Sequence, residues 1–265
     1  LRFYLNSAMA NFLRGHVDRI DTIFHMGAIS STTESNVDAI LESNIRLTLD
    51  LFHWAKHTDV RLVYASSAAT YGDGTQGFVD DNSQLALNGL RPLNAYGWSK
   101  AFVDRRLRRI AAEGGKTPRQ WAGLKFFNVY GPNEYHKGDM ASVVSKIYPK
   151  AANDEVATLF KSHHPDYADG GQLRDFVYVD DCVRVMVWLY HHPDVSGIFN
   201  LGTGQARSFF DLASAVYTAL GKEPKIEFIP TPESIRDKYQ YYTQADMGRL
   251  RLAGYTPEFL SLEEG

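Results

Sequence analysis

The feature that constrains the fold most is an alternation of short apolar runs with helical patterns. Three runs, DTIFHMGA (21–28), VRLVYASS (60–67) and AGLKFFNV (122–129), are rich in β-branched or aromatic residues and are bounded by polar residues or glycine, which is typical of buried strands. The segment 35–57 places apolar residues along one helical face. Strands that alternate with helices form a parallel sheet with right-handed crossovers. We therefore predict an α/β fold with a doubly wound parallel sheet.

The later chain predicts returns to the sheet and a smaller α/β subdomain. The runs DFVYVDD (175–181) and GIFNLGTG (197–204) read as strands, and 208–220 reads as a helix that begins with a capping box of Ser208 and Asp211.

Composition excludes several classes of protein. The 265 residues are 44% hydrophobic with a net charge of −3, so no basic excess indicates a nucleic-acid partner. No apolar run approaches the length of a membrane-spanning helix. A single cysteine excludes an internal disulfide and favours a reducing compartment, so we expect a cytoplasmic protein.

The stretch NAYGWSK (94–100) places a tyrosine and a lysine four residues apart at the start of a predicted helix, with Asn94 as its N-cap. Tyr96 and Lys100 then lie on one face, on neighbouring turns. A lysine cation close to the phenol is expected to lower the tyrosine pKa, and about three units would amount to roughly 4 kcal/mol. The pair therefore predicts an acid/base group, although a surface lysine beside a half-buried tyrosine fits the same spacing.

Small residues follow two of the predicted strands, where ligands of open α/β sheets bind. Ser67 ends the second strand and could bind a substrate hydroxyl, or it could serve only the turn. The residues 26–30 end the first strand and allow a ligand to approach the backbone. Asn44 occupies the apolar stripe of its helix, and a buried amide needs partners. It either braces nearby backbone or contacts a ligand.

These features together resemble the extended short-chain dehydrogenase/reductase superfamily. Ser67, Tyr96 and Lys100 match its catalytic triad, and FFNVYGP (126–132), RDFVYVDD (174–181) and NLGTG (200–204) match later signatures. The resemblance implies a Rossmann-like sheet, a bound NADP (or NAD), a nucleotide-sugar substrate and a homo-oligomer, with a pentamer as one candidate state. It implies that Lys100 holds the nicotinamide ribose, and that GTGQAR belongs to the later core, although it mimics a phosphate loop. The implied cofactor-binding residues are Met26, Gly27, Ala28, Ile29, Ser30, Asn44, Lys100 and Val129.

Four stretches resemble the ADP-heptose 6-epimerase family within that superfamily. They are GAISSTTE (27–34), YASSAATYG (64–72), YGPNEYHKGDMASV (130–143) and KYQYYTQADMGRLRLAGY (238–255). The HKG segment is the most specific of them. The expected activity is epimerisation at C6 of an ADP-linked manno-heptose, for lipopolysaccharide core synthesis.

The expected chemistry gives the HKG lysine a purpose. The C6 centre of the heptose is a carbinol without an adjacent carbonyl, so direct deprotonation is implausible. Inversion can run through transient oxidation to a ketone and return of hydride to the opposite face. Each presentation of the substrate then needs a group that handles the hydroxyl proton. We expect Tyr96 to serve one presentation and Lys137 the other, with Ser67 and Lys100 completing the catalytic set.

The resemblance also implies a set of substrate contacts, and the sequence departs from the family at two of them. Asp139 stands where a small hydroxyl residue is expected, and Lys146 stands where a histidine is expected. The loop 161–172 is longer than in the enterobacterial form. The implied substrate-binding residues are Ser67, Asn128, Asp139, Lys146, Arg174 and Tyr239.

The resemblance implies a further βαβ unit before residue 1, which would carry the phosphate-binding turn, and we expect a last helix to follow SLEEG. We expect a fragment of a longer chain, the alternative being a chain that has lost cofactor binding. The predicted domains are a partial dinucleotide-binding domain (1–131 plus 174–204) and an interleaved substrate-binding subdomain (132–173 plus 205–265).

Three rival functions stay open at this point. A UDP-hexose 4-epimerase would not need Lys137. A 4,6-dehydratase needs acidic residues after the strand-end serine, where this chain has Ala68 and Ala69. A catalytically silent nucleotide-sugar-binding fragment or scaffold would need none of the catalytic set.

Overall fold

The computed structural model describes residues 6–236 and 239–265. The strands in chain order are β1 (Thr22–His25), β2 (Arg61–Ser67), β3 (Trp121–Phe126), β4 (Asn128–Tyr130), β5 (Ala157–Phe160), β6 (Leu173–Tyr178), β7 (Gly197–Leu201), β8 (Ala206–Ser208) and β9 (Ile226–Ile229). The α-helices are α1 (Asn6–Gly15), α2 (Val37–Ile40), α3 (Leu47–Thr58), α4 (Gln84–Gly89), α5 (Ala95–Ala112), α6 (Val143–Ala152), α7 (Val179–His191), α8 (Phe209–Ala219), α9 (Glu233–Arg236) and α10 (Gly248–Leu252).

The chain divides into two compact units. The first unit takes the described residues up to Gly72, together with Asp81–Lys125 and Met186–Phe199. The second unit takes Asp73–Asp80, Phe126–Val185 and Asn200–Gly265. The predicted division into a dinucleotide-binding and a substrate-binding domain is a statement about function, and it stays a prediction.

A four-stranded sheet in the order β1–β2–β3–β7 carries the predicted α/β architecture. β1 and β2 pair in parallel, with His25, the last residue of β1, opposite Tyr64. Buried apolar side chains such as Phe52, Leu62 and Leu124 form the core around this sheet. The predicted Rossmann-like parallel sheet is confirmed.

The predicted strand 122–129 is two strands with different partners. β3 ends at Phe126, the Phe127 N–H donates to the Leu201 carbonyl, and β4 then pairs in parallel with β6. β6 also pairs with β8, so it joins a separate three-stranded sheet, whereas β7 joins the first sheet. The sequence shows an apolar run but not where its hydrogen-bond partner changes.

The second unit has a further core around the parallel pair of β5 and β9. Helices α6 and α8 bury Ile147 and Tyr217 in this core, together with Ala157 of β5. The capping box predicted at the start of α8 is present, since the Ser208 and Asp211 side chains each accept from the other's backbone N–H. No helix in the described ranges combines the length and apolarity needed to cross a bilayer.

The predicted helix 35–57 is interrupted by a π-helical segment, Leu41–Arg46, between α2 and α3. Such π-turns inside helices frequently occur at functional sites. This one contains the buried Asn44.

Candidate active site

Ser67 and Tyr96 meet at the end of β2 in the first unit. The Ser67 side chain accepts a hydrogen bond from the Ala69 N–H at 3.1 Å and so caps the 3₁₀ turn Ala68–Tyr71. The Tyr96 side chain hydrogen-bonds with the Ser67 side chain. Helix α5 positions Tyr96 because Asn94 caps it as predicted, accepting from the Gly97 N–H at 2.8 Å.

Gly97 allows the first turn of α5 to approach the Ser67 turn. A Cβ atom at this position would lie 2.6 Å from the Ala69 carbonyl oxygen, a contact that backbone cannot relieve cheaply. Position 97 therefore requires glycine. The close approach that glycine allows brings Tyr96 to the carboxyl end of β2.

Lys100 lies one turn further along α5, and its side chain is buried. The Nζ atom is 6.0 Å from the centroid of the Tyr96 ring and donates a hydrogen bond to the Ala65 carbonyl at 2.7 Å. The structure therefore brings Ser67, Tyr96 and Lys100 together, as the resemblance to the superfamily's catalytic triad implies.

The predicted lowering of the Tyr96 pKa is wrong for this arrangement. Burial raises the pKa of Tyr96, the hydrogen bond with Ser67 lowers it, and the nearby Asp104 carboxylate raises it. Lys100 directs its ammonium at the Ala65 carbonyl, and burial lowers the pKa of Lys100 to about 8 against the opposing effect of Asp104. At neutral pH the site therefore holds a neutral phenol beside a lysine that is mostly charged.

Asn44 braces the backbone that follows β1. Its Oδ1 accepts from the Ile29 N–H and its Nδ2 donates to the Ile29 carbonyl, both at 2.9 Å, and Nδ2 also donates to the Ser99 hydroxyl at 3.1 Å. Of the two roles that the sequence left open, the contacts show the bracing role. The loop 26–30, predicted to line the cofactor, is thus fixed to α5.

The first unit has a donor that fits a cofactor hydroxyl group. The Lys100 ammonium carries three hydrogens, and within the described residues Ala65 O is its hydrogen-bond acceptor. A buried ammonium with further donors suits a ribose hydroxyl, and the adjacent loop 26–30 offers backbone groups. The residues present therefore fit a nicotinamide cofactor.

Lys137 lies in the second unit, on the 3₁₀ segment Tyr135–Met140. Its Nζ is 3.7 Å from Oε2 of Glu134, a buried carboxylate that also accepts from the Ser142 N–H at 2.8 Å. The Ser142 hydroxyl donates to Oε1 of the same residue. Glu134 therefore fixes the turn that presents Lys137, whose side chain is 43% exposed.

A cavity of about 260 Å³ in the second unit gathers several predicted residues. Asn128, Val129 and Lys137 line it, with Glu134 and apolar side chains completing the wall. A larger cavity of about 640 Å³ in the same unit is lined mostly by apolar residues and by none of the predicted site residues.

Two further predicted substrate residues, Arg174 and Tyr239, lie elsewhere in the second unit. Arg174 is buried and donates to the carbonyls of Leu173, at 2.8 Å, and Gln240. Its guanidinium carbon is 5.6 Å from the centroid of the Tyr239 ring, so the structure brings Arg174 and Tyr239 together. Burial lowers the pKa of Arg174.

One described substrate residue of the prediction, Lys146, is not brought to the cavity around Lys137. Lys146 is exposed on α6 and does not line the cavity. Asp139 belongs to the 3₁₀ segment, and its side chain falls outside what the structure describes.

The loop that mimics a phosphate site is occupied by a side chain of the protein. The buried Asp175 carboxylate accepts from the N–H groups of Thr203, Gly204 and Ala245 at 2.7, 2.9 and 2.9 Å. Backbone donors that hold a carboxylate have no capacity left for a cofactor phosphate. This agrees with the interpretation of the NLGTG stretch as part of the later core.

Two buried carboxylates beside the predicted site residues, Asp104 and Glu134, were not predicted from the sequence. The spacing could have predicted Asp104 as a neighbour of the catalytic residues, because it follows Tyr96 and Lys100 at intervals of four on the same helix face. Glu134 had no signal beyond its place in the NEYHKG stretch.

The sequence model of the family described as "NAD dependent epimerase/dehydratase family" matches residues 5–202 of this chain. The chain belongs to this family. A relative from Nitratidesulfovibrio vulgaris (strain Hildenborough) is 51% identical over 246 residues, covering 93% of this chain and 74% of the relative. A relative from Fusobacterium nucleatum is 45% identical over 256 residues, covering 94% of this chain and 76% of the relative. Both are named ADP-L-glycero-D-manno-heptose-6-epimerase.

Solved structures of the epimerase/dehydratase family share the fold. The Helicobacter pylori ADP-L-glycero-D-manno-heptose-6-epimerase superposes with a TM-score of 0.78 at 29% identity, covering 100% of this chain and 76% of that one. The Thermus thermophilus UDP-glucose 4-epimerase in complex with NAD gives a TM-score of 0.76 at 25% identity, covering 98% and 79%. Family membership and these neighbours support a nicotinamide cofactor for this chain.

Proposed function

We propose that this chain inverts C6 of an ADP-linked manno-heptose, converting ADP-D-glycero-D-manno-heptose to ADP-L-glycero-D-manno-heptose for lipopolysaccharide core synthesis. It is an isomerase of the nucleotide-sugar epimerase class. The observation that carries the substrate is the identity of 45–51% to relatives named for this activity, over more than nine tenths of the chain. The cavity around Lys137, a residue that a C4 epimerase does not need, supports the same substrate.

The chain's own residues handle the proton at the C6 oxygen. When bound, the nicotinamide supplies reversible hydride acceptance, so that C6 can pass through the ketone level and return inverted. The Tyr96 phenol, whose pKa is raised by burial, is protonated at neutral pH, so it would donate its proton to the C6 oxygen when the ketone is reduced. The proton that the C6 hydroxyl loses on oxidation would pass to Lys137, and the two residues would regain their starting protonation states by exchange with solvent. The Ser67 side chain holds that phenol in place.

Lys137 serves the opposite presentation of the substrate. Inversion requires the two faces of C6 to be exposed in turn, and each needs an acid/base group. The Lys137 amine would exchange the hydroxyl proton in the presentation that Tyr96 does not serve, while Glu134 holds the amine over the cavity. Arg174 would bind the pyrophosphate, because its planar fork matches two oxygens.

We extend the proposal to NADP as the preferred cofactor, to a homo-oligomer, with a pentamer as the candidate state, and to the cytoplasm as the compartment. The resemblance of the catalytic set and the HKG segment to the epimerase family supports these points. Asn128, Asp139, Lys146 and Tyr239 remain proposed substrate contacts. Met26 to Ser30, Asn44, Lys100 and Val129 remain proposed cofactor contacts.

The direct experiment is incubation of the protein with NADP and ADP-D-glycero-D-manno-heptose, followed by NMR of the C6 proton. Appearance of the L-glycero epimer is the expected result. UDP-glucose is the matched control, and no galactose epimer should form from it. A protein with bound cofactor that leaves the heptose unchanged, or that converts UDP-glucose instead, would defeat the assignment.

A further inference from the structure

A buried carboxylate lies beneath the candidate catalytic residues of the first unit. Asp104, on α5, has no exposed surface. Its Oδ1 accepts from the Tyr64 hydroxyl at 2.9 Å, and its Oδ2 accepts from the Ser66 hydroxyl and from Lys125 Nζ, both at 2.7 Å. Three donors from β2 and β3 therefore converge on one side chain of the helix that carries Tyr96.

The partner of this carboxylate reaches the turn that carries Ser67. Lys125 is buried and donates a second hydrogen bond, to the Thr70 hydroxyl, at 2.7 Å. Thr70 in turn donates to the Ser67 carbonyl at 2.8 Å. A continuous path of hydrogen bonds thus runs from Asp104 through Lys125 and Thr70 to the backbone of Ser67.

The same carboxylate acts on Lys100. Asp104 follows Lys100 by four residues on α5, and its negative charge raises the pKa of Lys100 against the effect of burial. His25 of β1 also faces Lys100, and burial lowers the pKa of His25, which leaves it neutral at pH 7. Asp104 is thus the anion that favours the charged form of Lys100.

A pair buried this deeply needs a reason other than stability. A well-packed apolar pair of similar volume is often as stabilising as a buried ion pair or more so. Asp104 and Lys125 instead make four hydrogen bonds with hydroxyl and ammonium groups, and one of these, from Lys125 to Thr70, continues to the Ser67 turn.

We propose that Asp104 and Lys125 are a positioning pair for the catalytic set: Lys125 fixes the Ser67 turn through Thr70, and Asp104 places a carboxylate one helical turn after Lys100 on α5. The proposal rests on the proposed function, because it assigns the pair's purpose to that reaction. Both residues are buried, so each would act through Ser67 or Lys100 and not on the substrate directly.

Thr70→Val tests the path to Ser67 with an almost isosteric change. We expect kcat to fall about tenfold, since a small misplacement of a catalytic group has a large effect on rate, with KM nearly unchanged. Thr70→Ser, which keeps the hydroxyl, should restore most of the rate. Thr58→Val is the control, because Thr58 makes a comparable bond to the Trp54 carbonyl at 2.9 Å in α3, and it should retain wild-type turnover.

Hydrogen exchange measured by mass spectrometry on the protein without substrate gives a readout that is independent of activity. Amides in residues 66–72 should exchange faster in Thr70→Val than in wild type or Thr58→Val. If wild type shows no epimerisation while this exchange difference is present, the proposed function fails and the fixing of the turn stands. If Thr70→Val matches Thr58→Val in exchange and turnover, the positioning proposal is overturned.

Asp104→Asn tests the effect on Lys100. Without the carboxylate, Lys100 loses the anion that favours its charge, so the basic limb of the kcat/KM pH profile should move to lower pH. Thr70→Val keeps Asp104 and should leave that limb in place. A folded Asp104→Asn variant whose basic limb coincides with that of wild type would contradict the electrostatic half of the proposal.

Discussion

Replacement of Asn44 by alanine tests how the loop after β1 is held. The amide makes three hydrogen bonds, two to the backbone of Ile29 and one to the Ser99 hydroxyl. It can do so because the π-helical segment Leu41–Arg46 carries it at a buried position. Alanine removes all three bonds and leaves the Ile29 N–H without its partner.

The loss of stability expected for Asn44→Ala follows from these contacts. At about 1 kcal/mol for each net hydrogen bond, three bonds amount to about 3 kcal/mol, and the unsatisfied Ile29 N–H adds about 1 kcal/mol or more. We therefore expect Asn44→Ala to lower the free energy of unfolding by about 3–4 kcal/mol. Because the loop 26–30 loses its brace, we also expect the affinity for the nicotinamide cofactor to fall about tenfold or more.

Urea unfolding and fluorescence titration with NADPH measure the two effects. Asn36→Ala is the matched control, since Asn36 is an exposed N-cap whose side chain accepts one bond, from the Ala39 N–H at 3.0 Å. Its loss should cost about 1 kcal/mol and leave cofactor affinity unchanged. If the Asn44 and Asn36 variants lose equal stability, or if Asn44→Ala binds NADPH like wild type, the bracing argument is refuted.

Three further predictions concern other parts of the chain. Lys137→Met should lower the rate of C6 epimerisation by about 10²-fold or more while the exposed control Lys116→Met does not, and equal rates would remove Lys137 from the mechanism. Asp175→Asn turns one acceptor oxygen into a donor, so two hydrogen bonds are lost and thermal and urea unfolding should show a loss of about 3 kcal/mol; an unchanged midpoint would contradict the role of that carboxylate in the NLGTG loop. Burial lowers the pKa of His25 from 6.5 to about 4, so the unfolded chain binds more protons between these values and stability should rise with pH across that window. The free energy of unfolding should rise less steeply with pH in His25→Gln than in wild type. An equal rise in both would show that His25 does not titrate as described.

Local signals predicted the helix starts and the placement of the tyrosine and lysine. Asn94 caps α5, and the Ser208 and Asp211 box starts α8, because a cap depends on residues within one turn of helix. The spacing of Tyr96 and Lys100 likewise fixes their shared face, whatever the rest of the fold does.

Properties that depend on distant partners could not be predicted in this way. The run 122–129 divides because Phe127 meets Leu201, more than seventy residues later, and no local pattern marks that change. The pKa of Tyr96 rises because the folded chain buries the phenol near Asp104, whereas the spacing indicated only a neighbouring cation. The pairing of Asp104 with Lys125 could not be predicted from the sequence for the same reason, because it joins helix α5 to strand β3.

In the proposed reaction, C6 is inverted by transient oxidation and not by removal of a proton from carbon. The most direct measurement uses ADP-D-glycero-D-manno-heptose that carries deuterium at C6, converted in ordinary water and followed by NMR. We expect the L-glycero product to keep its deuterium, because hydride returns to the same carbon from which it was taken. Loss of deuterium to solvent at the rate of epimerisation would contradict it.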